Sequence, residues 1–124
     1  MSNLRKFDWI DIKRSCALGA SYGGYMVNWI QGQTDRFKCL VTHDGVFDTL
    51  GMFYETEELW FPMAEYCPVD KPGCKPYDPK YREHYTQFSP EKYVDQFKTP
   101  HLVIHGSNDF RIPISQGLAM FTAL

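Results

Sequence analysis

The sequence contains no long apolar run. None of its apolar stretches approaches the roughly 18 residues that a membrane-spanning helix needs, and its first seven residues, MSNLRKF, hold no apolar core of a secretory signal peptide. We therefore expect no membrane partner and no signal peptide within these 124 residues.

The sequence also has no excess of charge of either sign. Thirteen Lys and Arg residues stand against 15 Asp and Glu residues, which gives a net charge of −2, and the two signs are interspersed. Because a nucleic-acid partner requires a basic patch, we expect no nucleic-acid binding. Aromatic residues at 16% and charged residues at 23% indicate a globular chain and not a disordered one.

The four cysteines fall into two kinds. Cys16 and Cys39 lie inside apolar runs, which predicts buried free thiols. Cys67 and Cys74 bracket a turn-rich loop, which fits a disulfide in an oxidising compartment and equally fits two free thiols. A zinc site that adds His84 matches no common ligand spacing, so no metal and no cofactor are expected.

Ser21 stands at the junction of a predicted strand and a predicted helix. Residues 15–20 are short and apolar, and apolar residues recur at helical spacing over residues 22–30, with Gly32 as a stop. Gly19 and Gly23 lie two positions either side of Ser21, and Gly24 follows. At a glycine usage of about 7%, the outer two glycines would accompany one of six serines in about 3% of chains by chance.

This pattern is typical of a nucleophile elbow, although an ordinary glycine-rich turn remains the alternative. In an elbow the glycines sit where a Cβ would collide, and the turn presents the serine Oγ at its tip. The helix behind Ser21 would aim its first amides at the site, and the Tyr22 N–H would be one oxyanion donor.

The remaining strands predict an α/β fold with a parallel sheet. Residues 15–20 are typical of a strand covered on both faces, residues 37–42 form a second apolar strand and residues 102–104 a third, buried strand. A helix is predicted over 114–124. Residues 46–61 fit a lid, a pocket wall or core, and residues 62–90 read as a long ordered loop before a helix capped by Ser89.

Asp109 follows the third strand at its carboxyl end, where functional groups gather in such sheets. In α/β-hydrolases the triad runs Ser, Asp or Glu, then His along the chain. Ser21 and Asp109 fit the first two places, but no histidine follows Asp109. For each of the four histidines we expect a structural role; they are His43, His84, His101 and His105.

Four motifs resemble the prolyl oligopeptidase family of serine peptidases (S9). They are GASYGGYMVNW at residues 19–29, THDGVF at 42–47, TEELWFP at 56–62 and LVIHGSNDFRIP at 102–113. The second and third are most similar to the fungal dipeptidyl-peptidase 5 branch, which is related to acylaminoacyl peptidases. The resemblance implies that Ser21 is the nucleophile, Asp109 the triad acid and Tyr22 the oxyanion donor.

The same resemblance implies a fragment of an α/β-hydrolase fold with about three strands. Residues 1–124 would form part of the catalytic domain, without its early strands and its histidine segment. The activity implied is that of a serine peptidase that acts on short peptides through an acyl-enzyme, with the rest of the parent chain, including a β-propeller, needed for activity. Secretion is the implied location. A substrate pocket would be lined by Val46, Phe47, Phe53, Tyr54, Phe110 and Arg111.

Two alternatives to this function stay open. The chain would be an inactive truncated piece if no base reaches the site, because loss of a triad member removes several orders of magnitude in rate. It would be an esterase if the same fold acts on a different substrate.

Overall fold

The computed structural model describes residues 6–124. Its strands are β1 (Cys16–Ala20), β2 (Cys39–His43) and β3 (His101–Ile104). Its helices are α1 (Tyr22–Gln31), α2 (Thr49–Glu55), α3 (Trp60–Glu65), α4 (Arg82–Thr86) and α5 (Ile114–Ala123), with 3₁₀ segments at Ile12–Arg14 and Pro90–Gln96. Most of the N-terminal stretch that bears on a signal peptide lies outside the described residues.

The three strands form one parallel sheet in the order β1-β2-β3. The register pairs Ala20 with His43, and His43 with Ile104. The last residues of all three strands are therefore level, and the loops that follow them meet at one edge. The α/β class and the parallel three-strand sheet predicted from the sequence are confirmed.

Helix α1 covers one face of this sheet at close range. A Cβ on Gly24 would lie 2.7 Å from the Cα of Gly45, and the Thr42 hydroxyl donates to the Gly24 carbonyl at 3.1 Å. Leu40 and Thr42 on that face are each 1% exposed. Small residues at the contact let the helix bury this face of the central strand.

The opposite face of the sheet is open to solvent in the described part of the chain. Leu18 of β1 is 70% exposed, and Leu102 and Ile104 of β3 are 57% and 46% exposed. The expectations that β1 is covered on both faces and that β3 is buried are therefore wrong for residues 6–124. Side chains alternate along a strand, so every second residue stands on the uncovered face.

The segment between β2 and β3 is more helical than its sequence predicts. The aromatic residues 46–61 enter α2 and α3, and the stretch 62–90 holds the rest of α3 and all of α4. These helices are too short to display a clear apolar period. The Ser89 side chain does not cap a helix but accepts a hydrogen bond from the Thr49 amide at 3.1 Å, and a 3₁₀ segment follows it.

All four cysteines are paired. Cys16 and Cys39 are register partners on neighbouring strands and form a disulfide with Cα atoms 4.8 Å apart. The prediction of buried free thiols there is wrong, because the parallel register places both side chains on the open face. A second disulfide joins Cys67 to Cys74.

Helix α5 presents its apolar stripe outward. Leu118, Phe121 and Leu124, which the sequence places on one helical face, are exposed, whereas Gln116, Gly117 and Met120 are buried. Across residues 6–124, no helix combines the length and the hydropathy that crossing a bilayer requires.

His101 at the start of β3 gives the chain a dependence on pH. Both ring nitrogens are buried without a hydrogen-bond partner, and burial lowers the pKa of His101 from 6.5 to about 4. On acidification the unfolded state takes up the proton first. We expect the free energy of unfolding to fall as the pH drops from about 6.5 to about 4, measured by urea unfolding at several pH values.

A pair of variants isolates this contribution. His101→Leu removes the group that titrates and should flatten the pH dependence over this range, whereas His84→Leu, at a half-buried position beside Tyr81, should preserve it. An unchanged slope in His101→Leu would contradict the assignment.

Candidate active site

Ser21 occupies a sharp turn between β1 and α1. Its φ of 57° and ψ of −119° lie in a region that residues with a side chain seldom adopt. Its amide donates to the His43 carbonyl at 3.0 Å, and its carbonyl accepts from the Tyr25 amide at 2.9 Å. The turn therefore has the strand–serine–helix geometry of a nucleophile elbow.

The three glycines of the elbow differ in how much space there is for a Cβ atom. A Cβ on Gly19 would lie 2.2 Å from the Gly23 carbonyl oxygen, and one on Gly24 would meet Gly45 and the His43 carbonyl. A Cβ on Gly23 would have nothing within 4 Å, so the expectation of a collision there is wrong. It is the main chain of Gly23, not its Cβ position, that approaches β1.

Tyr22 begins α1 immediately after Ser21. The first amides of a helix have no acceptor within the helix and carry the positive end of its dipole. The Tyr22 N–H is thus available beside Ser21 for an oxygen that develops negative charge.

Asp109 lies in the loop between β3 and α5 and is held by its own loop. Its Oδ1 accepts hydrogen bonds from the amides of Arg111 and Ile112, both at 2.9 Å. The loop is also tied to the segment before α3, because the Glu57 amide donates to the Phe110 carbonyl at 3.0 Å. With Oδ1 occupied, Oδ2 is the atom that can accept from another group.

Ser21 and Asp109 line one cleft of about 480 Å³. The rest of its wall consists of Glu57, Asn108, Phe110, Arg111 and Ile112. The structure therefore brings the two predicted triad residues, which are 88 positions apart in sequence, to the same opening. None of the four histidines lines it.

The histidines have other contacts. His43 lies 3.2 Å from a carboxylate oxygen of Asp44. His105 is buried, and its Nε2 lies 2.6 Å from the Ile112 carbonyl, so Nε2 carries the proton that it donates. The ring nitrogens of His101 are buried without a hydrogen-bond partner, and His84 packs beside Tyr81. These positions agree with structural roles.

A second, more apolar pocket of about 340 Å³ opens beside Ser21. Glu58 forms part of its rim and accepts hydrogen bonds from the Arg111 guanidinium and, at 3.2 Å, from the Trp60 Nε1. The bond to Glu58 raises the pKa of Arg111, and burial raises the pKa of Tyr66. The other lining residues are Tyr22, Tyr25, Val46, Phe61, Glu65, Phe88 and Ile112.

The predicted pocket residues are only partly those that line this pocket. Val46 and Arg111 line it, and Phe110 lines the neighbouring cleft. Phe47 and Phe53 are instead buried, at 6% exposure each, and Tyr54 points to solvent outside both openings. Sequence reasoning missed Tyr66 and Tyr25, although the position of Tyr25 one helical turn after Ser21 predicts it. Trp60 and Phe61 lie in residues 46–61, for which a pocket wall is one of the interpretations of the sequence.

Three titratable side chains cluster at the sheet edge within 4.8 Å of one another: Asp44, His105 and Asp109. Each of these side chains already forms a hydrogen bond to the main chain. Asp44 Oδ1 accepts from the Gly106 amide at 2.6 Å, His105 Nε2 donates to Ile112, and Asp109 Oδ1 accepts two amides. Through these bonds the three side chains brace the ends of β2 and β3 and the loop that carries Asp109.

The contacts at the elbow predict that two similar substitutions differ in their effect on the free energy of unfolding. Gly19→Ala should lower the free energy of unfolding by at least about 2 kcal/mol, because its methyl group meets backbone that cannot move independently. Gly23→Ala should be neutral or stabilise by about 0.5 kcal/mol, because its methyl group meets open space in a helix. Urea unfolding of both variants measures this, and equal losses would refute the difference.

Comparison with known proteins extends this description. A profile described as the prolyl oligopeptidase family matches residues 1–124. "Dipeptidyl-peptidase 5" of Schizosaccharomyces pombe is 45% identical over 118 residues, which is 94% of this chain and 16% of that protein. "Probable dipeptidyl-peptidase 5" of Emericella nidulans is 43% identical over 121 residues, again 94% of this chain and 16% of that protein.

The fold of this chain is also similar to that of a solved structure. The uncomplexed Pyrococcus horikoshii acylaminoacyl peptidase superposes with a TM-score of 0.81 at 33% identity, covering 99% of this chain and 19% of that one. The chain thus spans less than a fifth of the length of each of these proteins.

Proposed function

Because the chain belongs to the prolyl oligopeptidase family of serine peptidases, we propose that Ser21 and Asp109 are the nucleophile and the acid of its peptidase site. One observation carries the proposal: Ser21 of the elbow and Asp109 line the same cleft, although they are 88 positions apart in the sequence. The α/β-hydrolase order of serine before acid along the chain agrees with this assignment.

The proposed reaction is an acyl transfer in two stages. Ser21 Oγ attacks the scissile carbonyl, and the Tyr22 N–H stabilises the oxyanion that forms. The amine product leaves with a proton, and water then releases the acyl group from Ser21. The free Oδ2 of Asp109 would orient the imidazole that moves the protons.

That imidazole must belong to a histidine outside this chain, because none of the chain's own four histidines lines the cleft. We propose that the segment works within a longer polypeptide that supplies the base. The open sheet face with Leu18, Leu102 and Ile104, and the exposed stripe of α5, support this, since apolar surface of this kind is normally covered. Alone, the 124 residues would be an inactive piece.

The substrates proposed are short peptides from which dipeptides are released. The names of the fungal relatives support this reaction, and the apolar pocket beside Ser21 is suited to an uncharged side chain next to the scissile bond. The two disulfides support an extracellular location, because such bonds persist in oxidising compartments.

A chimera tests the function. The matching stretch of the S. pombe relative is replaced by this chain, and hydrolysis of a Lys-Ala anilide is measured. We expect turnover by the chimera, a loss of about 10⁴-fold or more in Ser21→Ala, and negligible turnover by the 124 residues alone. Ser107→Ala, an exposed serine in the Asp109 loop, should retain the chimera's rate.

Two outcomes would contradict the proposal. Robust turnover by the isolated chain that Ser21→Ala abolishes would show that no outside base is needed. A well-folded chimera that hydrolyses a short acyl ester but not the anilide would replace the peptidase by an esterase.

A further inference from the structure

The β3–α5 loop carries Asp109 but is held from outside by the residue that follows the neighbouring strand β2. We propose that Asp44, directly after β2, is a positioning residue that sets the Asp109 carboxyl towards Ser21. The proposal rests on the function proposed above for Asp109. Asp44 touches neither opening and acts through the loop.

Asp44 holds the start of the loop twice. Its amide donates to the Ile104 carbonyl at 3.0 Å, and its Oδ1 accepts from the Gly106 amide at 2.6 Å. The two bonds therefore fix Ile104 and Gly106, the residues on either side of His105. A bond from an amide to an ionised carboxylate is shorter and stronger than one to a neutral acceptor.

The backbone of Asp44 is bent to make this contact. Its φ is 47°, and Ser21 is the only other non-glycine residue with positive φ among residues 6–124. Aspartate tolerates this region better than most side chains, but the conformation still costs energy. The turn aims the carboxylate along the sheet edge towards β3.

His105 closes the far end of the same loop. Its side chain is 3% exposed, its Nε2 donates to the Ile112 carbonyl at 2.6 Å, and the ring packs against Gly117, where a Cβ would lie 2.6 Å from Nδ1. The loop is thus pinned at Gly106 by Asp44 and at Ile112 by His105. Asp109 lies between these points.

The bond from Gly106 requires an acceptor at Asp44 and not a charge as such. Asp44→Asn keeps an oxygen and tolerates the positive φ, whereas Asp44→Ala has no acceptor. A carboxyl displaced by about 1 Å can cost about 100-fold in rate. Since Asp44 does not line the substrate pocket, the loss should fall on kcat and leave KM within about twofold.

The experiment uses the chimera defined above, in which this chain replaces the matching stretch of the S. pombe relative. Turnover of the dipeptide anilide is divided by the number of sites titrated with a burst substrate, which removes any effect of misfolding. We expect Asp44→Ala to lower kcat per titrated site by about 10- to 100-fold. Asp44→Asn should retain at least about a third of the wild-type value.

A matched control is Asp78→Ala, which removes an exposed carboxylate that likewise accepts a backbone amide, from Lys80 at 3.0 Å. It should leave kcat unchanged. The proposal is overturned if Asp44→Ala keeps the wild-type kcat per site, if Asp44→Asn loses as much as Asp44→Ala, or if the loss appears only in KM.

A second readout does not depend on peptidase activity. The short bond to a carboxylate should move the Gly106 amide proton downfield in the NMR spectrum, and Asp44→Ala should return it upfield while Asp78→Ala does not. If the folded chimera has no peptidase activity yet shows this shift, the proposed function fails while the contact stands. An unchanged Gly106 signal in Asp44→Ala would overturn the positioning role itself.

Discussion

Two main-chain hydrogen bonds between strand ends hold the site together. The amide of Ser21, just past β1, donates to His43 at the end of β2, and the amide of Asp44, just past β2, donates to Ile104 at the end of β3. Ser21 and Asp44 are also the two residues that leave their strands at positive φ within the described chain. The end of β2 thus holds the turn after β1, and the end of β3 holds the turn after β2. The Ser21 turn and the loop that carries Asp109 therefore lie along one edge of the sheet.

The described residues hold the candidate site in place but leave one face of the sheet uncovered. The Ser21 turn and the Asp109 carboxyl are held by hydrogen bonds within residues 6–124. One face of the sheet, in contrast, exposes Leu18, Leu102 and Ile104. The chain spans 16% of the length of its fungal relatives. A site that is preorganised by local bonds, on a sheet with an uncovered face, agrees with a segment that completes its catalytic group inside a larger protein.

Much of this arrangement could be predicted from sequence because it depends on local patterns. The glycines around Ser21 and the short apolar runs specified the elbow and the parallel sheet, and the strand-end rule located Asp109. The pairing of Cys16 with Cys39 depends on strand register, which no local pattern reveals. The wall of the apolar pocket likewise combines Tyr25 of α1 with Trp60 and Tyr66 at the two ends of α3. No local pattern brings these residues together, whereas the neighbouring aromatic residues Phe47 and Phe53, which the resemblance suggested for a pocket, are buried.

We propose that Ser21 becomes an activated nucleophile once a base reaches the cleft that it shares with Asp109. Reaction of the chimera with a fluorophosphonate, followed by peptide mass spectrometry, measures this, because such reagents modify serines that are activated for attack. We expect one stoichiometric adduct on Ser21 and a much slower reaction in Asp109→Ala. Labelling of a different serine, or none on Ser21 in a folded protein, would contradict it.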